Sequence, residues 1–95
     1  MSAYLIAKVN VTNMEQYKEY MKLSPPAIEK FGGKFIARGG EVVTLEGPAM
    51  TDRIVLVEFP SLEKAVAFYN SPDYQAAIKA REGAATASFV VIEGV

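Results

Sequence analysis

The sequence contains no cysteine and no histidine, and each absence removes a class of chemistry. Without Cys there is no disulfide framework, thiol nucleophile or zinc-thiolate site. Without His the commonest metal ligand and general base are missing, and haem ligated by either residue is excluded. Charge of one sign is scarce as well. Ten basic residues face eleven acidic ones, scattered without runs, which leaves no electrostatic footprint for nucleic acid or an anionic membrane surface. No apolar run approaches a bilayer span, and residues 1–11 lack the basic and then apolar regions of a signal peptide. The expected setting is the cytoplasm, with no metal, cofactor, nucleic acid or membrane among the partners.

What is present is a short and rather apolar chain. Residues 1–95 are one domain's worth of sequence, and a domain this small buries only roughly 60–65% of its unfolded surface. The chain is nevertheless 51% hydrophobic. Part of that surface is therefore expected in a subunit interface, making the protein its own partner in a homodimer.

Residues 3–11 (AYLIAKVNV) read as a strand with Leu5, Ala7, Val9 and Val11 on a wholly apolar face. Thr12 and Glu15 are spaced as a capping box for a first helix. Its stripe is expected to run through Met14, Tyr17, Met21, Ile28 and Phe31, with a break and restart at Ser24-Pro25-Pro26 and an end at Gly32-Gly33. Residues 34–39 and 41–46 both read as strand, with Gly39-Gly40 as a bulge between them. Residues 47–52 then form a reversal into the strand 53–59, which makes a central hairpin. Ser61 caps a short helix with Leu62, Ala65, Val66 and Tyr69 on one face. Ser71-Pro72-Asp73 opens another, with Tyr74, Ala77, Ile78 and Arg81 sharing a face, and residues 86–93 form the last strand.

The order β-α-β-β-α-β predicts an α+β, ferredoxin-like fold, an antiparallel sheet with helices on one side. Ile6, Ile54, Leu56, Val90 and Ile92 fall on the side left open. Two such sheets packed face to face would hide them.

Three stretches carry a family resemblance: GGKFIARGGEV, the run RIVLVEFPSLEKAVAFYNSPDYQ, and Arg81 near the end of the last helix. Together they resemble the domain of unknown function 1330 family across essentially the whole chain. The resemblance implies a dimeric α/β barrel, a group that includes cofactor-free monooxygenases, haem-handling enzymes and small isomerases. Many of those enzymes rely on a His, which this chain lacks. Membership therefore implies an architecture more than a reaction.

Strand alternation points Lys8, Asn10, Arg38 and Glu58 to the barrel side, with Ser88 as a further candidate. Arg38 and Glu58 are the candidate catalytic pair, Arg38 holding an anionic oxygen and Glu58 acting as a base or positioning a donor. Lys8, Asn10, Arg38, Tyr69 and Tyr74 are the candidate ligand-binding set, for a small organic acid. A structural ion pair of Arg38 or Lys8 with Glu58 explains the same residues equally well. Tyr17, Tyr69 and Tyr74 also read as core rings and Tyr20 stays open; Arg53 and Arg81 match the family pattern as well, with a structural role, a helix-end or turn partner, as the leading reading and a functional one left open. Three functions follow: a small cofactor-independent oxygenase or isomerase, a non-catalytic module that holds a small ligand, or a structural interaction domain.

Overall fold

The computed structural model describes residues 1–95. The first strand, β1 (Ala3–Val11), buries Ala3, Leu5, Ala7 and Val9 and turns the alternate residues the other way, as an apolar period of two requires. Helix α1 (Met14–Lys30) starts one residue later than the capping box predicts. Asn13 is the N-cap, its side chain accepting the Gln16 amide at 3.2 Å. Thr12 is used elsewhere: its amide and hydroxyl donate to the Ala84 carbonyl at 2.7 and 3.0 Å, and Glu15 pairs with Lys18.

The expected restart at Ser24 does not occur, and α1 runs through Pro25 and Pro26 as one helix. Each internal proline costs about 3 kcal/mol. Burial on both sides offsets it, with Tyr17 and Tyr20 before the pair and Ala27 and Ile28 after it. Met14, expected in the stripe, is exposed, and Tyr20 takes a buried place instead. The helix ends in a Schellman motif. Gly32, at φ 79°, donates to the Glu29 carbonyl, and Gly33 donates to that of Ile28.

Strands β2 (Lys34–Arg38) and β3 (Arg53–Phe59) pair directly, so residues 41–46 are not the strand that their composition predicts. The reason lies in the sheet order β2-β3-β1-β4. With β2 on one edge of β3 and β1 on the other, no pairing edge of β3 remains for a further strand. The bulge also moves, from Gly39-Gly40 to Ile36, where the register shifts between Phe35↔Val57 and Ala37↔Leu56.

Helix α2 (Leu62–Asn70) is capped by Ser61 and α3 (Pro72–Ala80) by Ser71, with Pro72 in the first turn. The buried face of α2 is Ala65 and Phe68, whereas Leu62, Val66 and Tyr69, expected inside, are exposed. Strand β4 (Ala85–Glu93) pairs with β1 and completes the antiparallel sheet. All three helices lie on one side, and the molecule is only 16 Å thick along its shortest axis. The arrangement is the expected ferredoxin-like α+β fold. On the open side, Tyr4, Ile6, Lys8 and Asn10 of β1 lie opposite Glu58, Leu56 and Ile54 on β3 and Ile92, Val90, Ser88 and Thr86 on β4.

Candidate functional site

The bulge at Ile36 decides where the site is. In an unbroken ladder Arg38 would oppose Ile54 and share the open face. With one residue looped out it opposes Val55, whose other neighbour across the ladder is Ala7 of the buried row. A one-residue slip turns a side chain to the other face. Arg38 therefore lies on the helix side of the sheet, with its guanidinium 4.4 Å from the Phe35 ring centre.

The four polar residues expected together are thus divided. Lys8 and Asn10 are exposed on the open face, with Ser88 opposite Lys8. Glu58 stays on that face and pairs with Lys34 at 3.6 Å, so neither Arg38 nor Lys8 is its ionic partner. Tyr74 lies in the core, whereas Tyr69 sits at the rim, its ring 5.5 Å from that of Tyr74.

Between helices and sheet the structure holds a cavity of about 30 Å3. That is room for a water molecule or two. Its floor is Leu5, Ala7, Val9, Val55 and Val57; its polar groups are Tyr17, Tyr20, Ser24, Arg38, Arg53 and Tyr74. Arg53 opposes Val9 and so shares the inward row of β1. Arg81, the C-cap of α3, lies beside the cavity with its guanidinium 5.3 Å from the ring centres of both Tyr20 and Phe89.

Two features leave the positive charge around this cavity unbalanced. No carboxylate lines the cavity, and none forms a salt bridge with Arg38, Arg53 or Arg81. In addition, the Nε atoms of Arg53 and Arg81 are buried without a hydrogen-bond partner. Buried donors are ordinarily satisfied.

The phenols complete the lining. The Tyr20 and Tyr74 hydroxyls lie 2.6 Å apart, and the Tyr17 and Tyr20 rings stack at 5.1 Å. Burial, and secondarily the neighbouring Tyr20, pushes Tyr74 far above the ordinary phenol value of 10.0. Burial also raises Tyr20, against its hydrogen bond with Tyr74 and the charge of Arg81. Tyr17 is raised by burial and then by Tyr20, with Arg53, Arg81 and Arg38 all pulling the other way. All three are neutral hydrogen-bonding groups at ordinary pH and unsuited to act as bases.

Arg53 at the cavity and Arg81 beside it are the arginines that the candidate ligand-binding set leaves out. A signal for Arg53 was present: placing Ile54 and Leu56 on the open face puts Arg53 under the helices by alternation. For Arg81 the signal was its place on the helix face shared with Tyr74 and Ala77, both of which are buried.

Over residues 2–95 the sequence matches the model of the family described as "Domain of unknown function (DUF1330)". The chain belongs to that family. Among solved structures, the DUF1330 chain is similar to the RPA0582 protein of unknown function from Rhodopseudomonas palustris. The two are 24% identical with a TM-score of 0.77, over 99% of this chain and 82% of that one. It is also similar to SnoaB, a cofactor-independent oxygenase from Streptomyces nogalater, at 7% identity and TM-score 0.69, over 99% and 93% of the two chains. A dimeric ferredoxin-like protein of unknown function from Thermobifida fusca matches at 16% identity and TM-score 0.59, over 99% and 92%. At these identities the likeness is one of fold. No curated protein matches the DUF1330 chain, and none of its helices is long and apolar enough to cross a membrane.

Proposed function

We propose that the protein binds a small organic anion, a carboxylate or an enolate, in the cavity between helices and sheet. Arg38, Arg53 and Arg81 supply the positive charge, and the Tyr20–Tyr74 pair supplies a neutral donor. The observation that carries this reading is the set of arginines at an apolar cavity without a carboxylate, two of them with buried, unpartnered Nε atoms. A guanidinium prefers a planar, bidentate oxygen pair, which a carboxylate provides. The size of the cavity favours a ligand of few heavy atoms, or one that enters from the open Arg38 side. Lys8, Asn10 and Glu58 lie on the opposite face and take no part in this reading. Tyr74 stays in it, and Tyr69 is at most a rim residue.

The protein is further proposed to act as a homodimer through its open sheet face, where Ile6, Ile54, Leu56, Val90 and Ile92 are gathered. The dimeric relative from Thermobifida fusca supports this reading.

The test is calorimetric titration and thermal shift with a panel of small mono- and dicarboxylates, alongside amines as controls. Binding of an acid that weakens in Arg53→Met and Arg81→Met is expected. If no acid binds, and Arg53→Met raises the melting temperature as an apolar replacement of a structural charge does, the reading fails.

A second reading, a cofactor-independent oxygenase, draws support from the fold shared with SnoaB. The arginines would favour the ionised form of a phenol or enol, and the cavity offers no base, so the substrate would have to ionise to solvent. Oxygen uptake with a panel of quinols and enols distinguishes catalysis from simple binding.

A further inference from the structure

The buried polar residues of the chain are Ser24 and Ser71, and the two are placed very differently. The Ser71 hydroxyl donates to the Phe68 carbonyl at 2.7 Å and accepts the Tyr74 amide at 3.2 Å, whereas Ser24 makes no bond of either kind. A serine inside a helix usually rests by bonding a carbonyl three or four residues back. Because α1 runs on without a restart, the Ser24 hydroxyl caps nothing either. It lines the cavity instead, one turn beyond Tyr20 on the inner face of α1, and it favours ionisation of the Tyr20 phenol beside it.

Tyr20 and Tyr74 carry two O–H groups and use one of them between themselves at 2.6 Å, so one phenol proton is free. Ser24 adds a second neutral donor. Tyr17, one turn before Tyr20, feels the charge of Arg53, Arg81 and Arg38, and Tyr20 feels that of Arg81. The inner face of α1 therefore runs from a strongly positive end at Tyr17 to hydroxyl donors at Tyr20 and Ser24. Neutral donors suit a neutral acceptor, and a carbonyl oxygen has two lone pairs with which to take both bonds. An acid without a second oxygen would leave those donors buried and unpaired, which is costly. A second carboxylate would lose the charged partners that it needs.

We infer that the anion held by the arginines is a short 2-oxo acid, its carboxylate at the guanidinium end and its keto oxygen between Ser24 and the Tyr20–Tyr74 pair. The inference rests on the anion-binding reading above and makes Ser24 a specificity-determining residue. In such an acid the keto oxygen sits on the carbon next to the carboxylate. Both kinds of oxygen are then presented by one compact group, as a cavity of about 30 Å3 requires. A site built to hydrogen-bond an oxygen rejects the analogue that lacks it far more strongly than an apolar pocket rejects a missing methylene. Ligands should therefore be sorted by their second oxygen rather than by chain length.

The test is calorimetric titration of the full chain with pyruvate, lactate and propionate, acids of closely similar size, and with malonate as a dicarboxylate. Pyruvate should bind about tenfold or more tighter than propionate, with lactate between them. In Ser24→Ala the ratio of pyruvate to propionate affinity should fall several-fold toward one. Alanine is the best helix former, so α1 is expected to persist in the variant, as checked by circular dichroism; the ratio in the wild type decides the matter without it. Equal affinities for pyruvate and propionate, tightest binding of malonate, or an unchanged ratio in a folded Ser24→Ala overturns the 2-oxo acid and leaves the anion site standing. If neither these acids nor any of the wider carboxylate panel binds the wild type, the anion site falls with it.

Discussion

The hydroxyls of Tyr20 and Tyr74 meet at 2.6 Å inside the core, joining α1 to α3 across 54 residues of sequence. One phenol donates and the other accepts. Removing either hydroxyl strands its partner in a buried place, so Tyr74→Phe should cost about 1–3 kcal/mol. The double variant Tyr20→Phe, Tyr74→Phe should cost less than the sum of the singles, because neither ring then leaves an unsatisfied partner. Urea denaturation of the three variants closes the cycle. Additive losses would show that the hydroxyl contact contributes nothing of its own.

The same burial predicts an alkaline limit to stability. Tyr17, Tyr20 and Tyr74 are all raised above the ordinary phenol value of 10.0 in the folded chain. Above pH 10 the unfolded chain therefore loses protons that the folded chain keeps, and unfolding becomes progressively more favourable. Their contribution is fully present below pH 10 and falls away above it. Absorbance of these tyrosinates should appear together with the loss of circular dichroism, rather than before it. Substituting Phe at Tyr17 should remove part of the alkaline slope.

Gly39 holds the Arg53 guanidinium in place by having no side chain. At φ 67° it adopts a conformation that L residues avoid, and an added Cβ would lie 2.6 Å from Arg53 Cζ. Gly39→Ala should cost about 1 kcal/mol or more and push Arg53 off the cavity. Anion affinity should fall with it. Gly40→Ala, where a Cβ meets nothing within 4 Å, is the control and should leave affinity unchanged.

Glu58 tests the division of the sheet faces. It pairs with the largely exposed Lys34 at 3.6 Å on the side away from the cavity, so Glu58→Ala should shift stability by less than about 1 kcal/mol. Titration with the acid that binds the wild type should give the same affinity. A loss comparable to that of Arg38→Ala would put both residues back in one site.

Most of the fold was legible because its signals are local. The Ser61 and Ser71 caps, Pro72 at a helix start, Gly32-Gly33 at a helix end and the alternation of β1 each act within a few residues. The errors share a different character. Residues 41–46 look like a strand by composition, but the neighbours of β3 are supplied by β2 and β1. Thr12 looks like a cap, but the Ala84 carbonyl claims its hydroxyl.

What the sequence determined by itself is therefore the succession of elements, the α+β class, the apolar open face through Ile6, Ile54 and Leu56, and the absence of histidine and cysteine chemistry. The tertiary structure alone decided which polar groups meet. One residue looped out at Ile36 carries Arg38 from the face of Glu58 to the face of Arg53. That shift depends on the register of β2 against a strand beginning fifteen residues beyond Arg38, and a pairing register is a property of two strands packed against a shared core, invisible in the periodicity of either one.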